Sequence, residues 1–179
     1  MLISSNLFAE SDLFGYWLTP GSIVLIENCD KHLCAKIETI FVNDQQASEF
    51  FLHGNIAAKH RVPLVFVSGD AGLCEEVKKV SPNTVCHATM VGVGDSTISI
   101  QPEESRKIIQ KKIKESLSGD LTSCLWNHPK SFSVKVRYNK QQNAYKASFY
   151  PGAELVDSKT VFFESKNYDD VMRYILFTI

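Results

Sequence analysis

The stretch that most constrains the fold covers residues 48–70 and has the sequence SEFFLHGNIAAKHRVPLVFVSGD. Its first half places Phe51, Ile56 and Ala57 at helical spacing, which predicts an amphipathic helix. Its second half, VPLVFV, is short, apolar and rich in β-branched residues, so it predicts a buried strand of the parallel type. An amphipathic segment, AGLCEEVKKV, follows, with Asp70 as its expected N-cap. Helix, strand and helix in this order form the basic repeat of an α/β layer.

Upstream of this stretch, residues 35–42 alternate apolar and polar side chains with period two. That alternation predicts a half-buried strand, and the following Asn43 and Asp44 predict a turn. Residues 22–26, SIVLI, are typical of a buried strand or a short helix. The polar residues 27–34 predict a loop.

Downstream, the patterns predict alternating strands and helices and one flexible loop. The predicted elements are a strand at 84–88, a loop at 90–100, a helix from 102, strands at 131–138 and 159–163, and a last helix capped by Asn167. The helix from 102 has Pro102 in its first turn and an apolar stripe that we expect to be buried. The stripe consists of Ile108, Ile109, Ile113 and Leu117.

Taken together, the elements predict an α/β fold with a layered, mostly parallel sheet flanked by helices. The change of pattern in the last third predicts a small C-terminal α+β annex. We therefore expect an α/β domain over residues 1–128 and a strand and helix subdomain over residues 129–179, packed on it.

The composition is that of an ordinary globular protein, with a formal net charge of −1. Lysines between residues 107 and 114 stand among glutamates, which is typical of a solvated helix face, so we expect no nucleic-acid partner. No apolar run approaches the ~18 residues that span a bilayer. The five cysteines show no CxxC or finger spacing and are expected to be reduced, mostly buried thiols. These observations predict a cytoplasmic protein without a membrane partner.

Glu49 and His53 have the spacing of a possible metal site, because residues four apart lie on one helix face. His60 follows two turns later on the same helix. Such pairs are also common on solvated helices, and without a third ligand the surface interpretation is favoured. Asp70 follows a strand end, where open α/β sheets carry functional groups, but it equally suits a helix N-cap. His87 falls in a predicted strand, where a packed core histidine is expected.

Three parts of the chain match the motifs of one known family, in the same order. Residues 42–77 are VNDQQASEFFLHGNIAAKHRVPLVFVSGDAGLCEEV, where the family shows LNGxxVGExGLNAALAGxxGVPVVLVTGDDAxCxEA. Residues 99–109, SIQPEESRKII, are similar to its SLxPExAxxLI. Its C-terminal PGVE, RTVxF and DDYxxAYR patterns resemble residues 151–154, 159–163 and 168–173. From about residue 12 to its end the chain resembles the zinc-dependent D-aminopeptidases of the DppA type.

The resemblance implies a peptidase that holds two zinc ions and assembles as a ring-like homo-oligomer. The family's ligands are an Asp-x-Glu-Gly motif, a His from an intermediate segment, the His of a Gly-Tyr-His motif, and a Glu that corresponds to Glu49. No Asp-x-Glu-Gly motif precedes Gly15. Two zinc ions need about six to eight protein ligands between them, so these departures predict that the family site holds no zinc.

The residues around the Gly-Tyr-His motif also depart from the family. The Gly15–Tyr16 pair resembles its start, but Trp17 stands where the His would be, and an indole offers only an N–H donor. Near the position of the family's catalytic His, the chain has Asn28 and Cys29, with His32 close by. Asn28 and His32 are therefore the candidates for that catalytic position.

These departures favour a D-aminopeptidase-like pseudoenzyme that acts through self-association or with a related subunit. An α/β layer without its first strand exposes an apolar face, which calls for such a partner. The alternative is an active metal-dependent aminopeptidase or amidohydrolase with a rebuilt site at Glu49 and His53, assisted by His32 or His60. A third interpretation is a shortened product of a longer coding sequence. A peptide ligand is compatible with the first two.

Overall fold

The computed structural model describes residues 15–19, 22–29 and 32–179, and it separates into two units. Unit 1 consists of Met1–Ala47 and Ser131–Ile179, and unit 2 of Ser48–Lys130. The elements in chain order are β1 (Gly15–Thr19), β2 (Ser22–Cys29), β3 (His32–Ala35), β4 (Ile37–Val42), β5 (Gln45–Gln46), α1 (Glu49–Lys59), β6 (Phe66–Asp70), α2 (Ala71–Val80), β7 (Val85–Val93), β8 (Ser96–Ser99), α3 (Pro102–Leu117), β9 (Phe132–Tyr138), α4 (Gln141–Ala147), β10 (Ala153–Leu155), β11 (Thr160–Ser165) and α5 (Tyr168–Thr178). A 3₁₀ turn covers Leu121–Cys124.

Unit 1 contains two antiparallel sheets. The first has the strand order β1-β2-β3, and the second has the order β10-β11-β9-β4-β5. In the second sheet every neighbouring pair of strands is antiparallel. The central strand β9 alternates between buried and half-buried residues along its whole length, so one face of the sheet is turned to a core.

Helix α5 supplies the other side of this core. It packs against β9 and β11 and buries Val171 and Tyr174. The ring of Tyr174 stacks on Phe163 with centroids 4.7 Å apart, and Tyr168 lies 4.8 Å from Phe132. Large aromatic side chains therefore fill the space between the helix and the sheet.

The turn between β4 and β5 contacts the start of β9, where the chain returns to unit 1. Asn43 and Asp44 both adopt left-handed backbone angles, with φ of 50° and 61°, as short hairpin turns require. The Asn43 side chain accepts from the backbone N–H of Ser133 at 2.8 Å and donates to the carbonyl of Ser131 at 3.2 Å. The turn thus holds the start of β9 beside the end of β4.

Unit 2 is built around the parallel pair β6 and β7, which α2 connects. β7 then turns back on itself through Gly94, at φ 59°, and forms an antiparallel hairpin with β8. Helices α2 and α3 both pack against β6 and β7. Cys74 on α2 and Cys86 on β7 form a disulfide with a Cα–Cα distance of 5.6 Å, which ties the helix to the strand.

The prediction of a layered, mostly parallel sheet is wrong. Among the described strands, the parallel pairing is that of β6 with β7, while the five-stranded sheet is antiparallel and the β6-β7-β8 sheet is mixed. The α1-β6-α2 repeat was correctly recognised, but it does not continue along the chain. β4 pairs with β9 from the last third, because its alternating pattern suits a sheet with one buried face. The predicted division at residue 128 stays a prediction.

Several local predictions are also wrong. Residues 90–100 belong largely to the β7–β8 hairpin, residues 27–29 belong to β2, and residues 32–34 belong to β3. The strand predicted from Val62 begins at Phe66. In α3 the buried residue is Ser105, while Leu117 of the predicted stripe is exposed. The thiols of Cys74 and Cys86 are not reduced, whereas Cys124 is a buried free cysteine.

Other local predictions are confirmed by the structure. The helices α1, α2, α3 and α5 and the strands β4, β7, β9 and β11 lie close to their predicted positions. Asp70 caps α2, Asn167 caps α5, and Pro102 occupies the first turn of α3. A separate finding, which tests none of these predictions, is that none of the described helices combines the length and the apolar character needed to cross a membrane.

We predict that Gly54→Ala destabilises unit 2. A Cβ at residue 54 would overlap the six-membered ring of Trp126, which packs directly on α1. Overpacking costs about 1–3 kcal/mol and the gain in helix propensity returns about 1 kcal/mol, so we expect a net loss of up to about 2 kcal/mol in the free energy of unfolding. Urea denaturation followed by circular dichroism measures it. Gly119→Ala is the control, because its nearest neighbour would be 3.7 Å away; equal stabilities of the two variants would contradict the packing argument.

Candidate functional site

The N-terminus of α1 is held by a cap and by a contact to α2. The Ser48 hydroxyl accepts from the backbone N–H of Phe51 at 3.1 Å and donates to the carboxylate of Glu76. Ser48 is buried, so both bonds are sheltered from water. Glu49 is the first residue of the helix, where the positive end of the helix dipole favours a carboxylate. A serine before a helical run signals the cap, but nothing in the local sequence signals its contact with Glu76.

Glu49 and His53 lie side by side on the solvent side of α1. His53 Nδ1 is 3.7 Å from Glu49 Oε1, and the two side chains are 61% and 42% exposed, respectively. The predicted proximity of this pair is therefore present. His60 forms the C-cap at the far end of the helix and is exposed.

The donor set of the described residues does not fit a zinc site. Zinc takes three or four protein ligands, and Glu49 with His53 provides two. Among the side chains of residues 36–179, no group of three or more His, Cys, Asp or Glu is placed to hold a metal ion. A zinc site that uses this pair needs further ligands, either from side chains outside residues 36–179 or from another subunit.

The candidate residues in the first sheet of unit 1 are described by their backbone alone. Trp17 pairs with Val24, and Asn28 pairs with Leu33. His32 opens β3 opposite Cys29. Their side-chain positions lie outside the described part of the structure, so the roles assigned to Trp17, Asn28 and His32 stay predictions.

Asp70 acts as a helix cap. Its Oδ1 accepts from the backbone N–H of Leu73 at 2.8 Å, which satisfies one of the free donors in the first turn of α2. Asp70 lies at the end of β6, as both interpretations of the sequence predicted. Its carboxylate is used as the N-cap of α2.

His87 is a core residue, as predicted. It is 6% exposed, and its Nε2 lies 3.5 Å from the hydroxyl of the equally buried Ser105. Lys112 donates to the carbonyl of Cys86 at 2.8 Å and stands near the imidazole. Burial, and secondarily the Lys112 charge, lower the pKa of His87 below its ordinary value. Ser105 was not singled out from the sequence, since its partner lies 18 residues away.

Comparisons with known proteins all point to one family. The family model described as D-aminopeptidase (peptidase M55) matches residues 31–177. A D-aminopeptidase of Bacillus subtilis (strain 168) is 21% identical over 133 residues, which are 73% of this chain and 48% of that protein. The solved Zn-dependent D-aminopeptidase DppA from Bacillus subtilis, described as a self-compartmentalizing protease, has a TM-score of 0.74 and 19% identity, covering 80% of this chain and 53% of the other. The chain thus spans about half the length of the proteins it matches.

We predict that His87 stays neutral at pH values where an ordinary histidine is protonated. Unfolded His87 takes up a proton near pH 6.5, whereas the folded residue does so at a lower pH. The unfolded state therefore binds more protons between these two values, and the free energy of unfolding should fall as the pH drops from about 7 toward the folded pKa. An NMR titration of the His87 ring proton gives the folded midpoint directly. A midpoint at or above 6.5 would contradict the prediction, and His87→Gln should flatten the pH dependence of stability.

Proposed function

Because the chain belongs to the D-aminopeptidase family, we propose that it acts by self-association and without a self-contained di-zinc catalytic site. The absence of a self-contained di-zinc site is supported by the donor set on α1, where Glu49 and His53 form an exposed pair. Two donors are fewer than half of the about six to eight protein ligands that two zinc ions need.

The β7–β8 hairpin supports association because one of its faces is apolar and open. Val91 lies opposite Ile98 in the register, and Val93 shares their face through the alternation of side chains. These three residues are 47%, 67% and 53% exposed, respectively. The opposite face carries Gly92 and Thr97. We call the apolar side of Val91, Val93 and Ile98 the hairpin face.

The occupant that we propose for the hairpin face is a second copy of the chain. Between residues 88 and 101 the only charged side chain is Asp95, so two copies of this surface can meet with little like-charge repulsion. A surface that pairs with itself is the arrangement of a two-fold interface. The solved relative is described as self-compartmentalizing, which supports self-assembly within the family.

We predict that Ile98→Lys weakens self-association. A charge in the centre of the hairpin face would have to be desolvated in the interface, so we expect the dissociation constant to rise about tenfold or more. Size-exclusion chromatography with light scattering over a dilution series measures it. Thr97→Lys places the same side chain on the opposite face of the same strand and should leave the association unchanged. A monomeric wild-type chain at all concentrations would overturn the proposal.

The second candidate function is a metal-dependent peptidase that uses the Glu49 and His53 pair. Its support is the placement of the two side chains, 3.7 Å apart on one helix face, and the zinc dependence of the solved relative. In this case Glu49 and His53 would be two of the metal ligands. The others would come from residues outside the described ranges or from another subunit.

Zinc content separates the two candidates. We predict that the purified chain, stripped with a chelator and dialysed against zinc, retains less than stoichiometric zinc by elemental analysis. Glu49→Gln and His53→Gln should not change that value, and neither should Glu103→Gln, an exposed glutamate on α3 that serves as the control. Near-stoichiometric zinc that disappears in Glu49→Gln and His53→Gln but persists in Glu103→Gln would favour the peptidase and direct assays to peptides with an amino-terminal D-residue.

A further inference from the structure

Unit 2 contains a cleft that the metal pair and the hairpin face do not involve. It has a volume of about 310 Å³, at the lower limit of the sizes typical for small-ligand sites. We call it the Asn55 cleft. Its lining includes Phe51, Asn55, Asn83, Leu125 and Trp126. Three separate parts of unit 2 therefore meet there: helix α1, the turn after α2, and the segment after the 3₁₀ turn.

The cleft lies on the opposite side of α1 from Glu49 and His53. Phe51 and Asn55 each follow one of those residues by two positions, and two positions correspond to a rotation of about 200° around an α-helix. A ligand in the cleft is consequently independent of any metal held by the pair.

Asn55 presents an unused hydrogen-bond acceptor to the cleft. The residue is 3% exposed, and its Nδ2 donates to the carbonyl of Phe51 at 2.9 Å, which fixes the orientation of the carboxamide. Its Oδ1 has no protein partner among the described residues. A buried amide side chain held in place with a free carbonyl oxygen is pre-organised to accept from a ligand N–H or O–H.

The remaining lining is neutral. Asn83 donates its Nδ2 to the carbonyl of Ser123 at 2.9 Å, which again leaves a carbonyl oxygen. The rings of Phe51 and Trp126 lie 5.9 Å apart and provide an aromatic wall, with Leu125 beside them. No lining residue has a charged side chain. The indole N–H of Trp126 is inaccessible to solvent and therefore to a ligand. The hydrogen bond that we infer for a ligand consequently involves Asn55.

We propose that the Asn55 cleft binds an uncharged peptide segment, with a main-chain N–H donating to Asn55 Oδ1 and an apolar side chain against the aromatic wall. Carboxamides match the hydrogen-bonding groups of a peptide main chain. A free ammonium or carboxylate terminus would lose its hydration without gaining a counter-charge from the lining. Blocked or internal peptide segments are therefore preferred over free amino acids.

The test uses N-acetyl-leucine N-methylamide as the probe and saturation-transfer difference NMR on the full chain. We expect saturable binding, with the strongest transfer to the leucine side chain, and clearly weaker binding of free leucine. Asn55→Leu should weaken the probe about tenfold through loss of one sheltered hydrogen bond. Gln110→Ala, on the exposed part of α3, is the control and should leave binding unchanged.

A second variant tests the proposal independently in case Asn55→Leu does not fold. Leu125 is 37% exposed at the cleft, so Leu125→Glu should keep the fold while adding a charge to the apolar wall, and it should weaken the probe as well. Thermal unfolding of each variant confirms that it is folded. Absence of saturable binding to the folded wild-type chain, equal binding of free leucine, or unchanged binding in both variants would overturn the proposal. None of these outcomes depends on zinc or on self-association.

Discussion

The antiparallel pairing of β4 with β9 is the contact on which the architecture depends. It joins residues about 95 positions apart, with Ile40 opposite Val136 and Val42 opposite Val134, and all four side chains are buried. Cross-strand pairs of β-branched residues stabilise a sheet through their packing. Because the chain leaves this sheet after β5 and returns to it at β9, residues 48–130 are an insertion between the two strands that flank β4.

The helix caps show what a sequence can predict. Asp70, Asn167 and Pro102 act within their own helical turns, so their roles follow from a few neighbouring residues. The alternation of residues 37–42 likewise predicts a strand. The partner of that strand cannot be predicted in the same way, because β9 lies in the last third of the chain and no local pattern indicates which strands will pair. The parallel layer was inferred from one repeat that is present, α1-β6-α2, and was wrongly extended to strands that pair in antiparallel fashion.

The candidate site likewise has features that follow from the local sequence and features that do not. The proximity of Glu49 and His53 follows from the geometry of one helix, so spacing alone predicted it. A third ligand would have to come from another element, and no local pattern indicates such a residue. The contacts between Ser48 and Glu76 and between His87 and Ser105 are equally non-local, which is why sequence reasoning did not find them.

Helix α1 shows how one element can serve two independent surfaces. The absence of a side chain at Gly54 lets the ring of Trp126 lie directly on the helix, and that ring becomes a wall of the cleft. Every residue that lines the cleft belongs to unit 2, so its shape is complete within one chain. The Glu49 and His53 side, in contrast, offers a donor pair that cannot satisfy a zinc ion by itself. The two sides of α1 therefore differ in what they require, because unit 2 alone forms the cleft, whereas a zinc site at Glu49 and His53 would require further ligands.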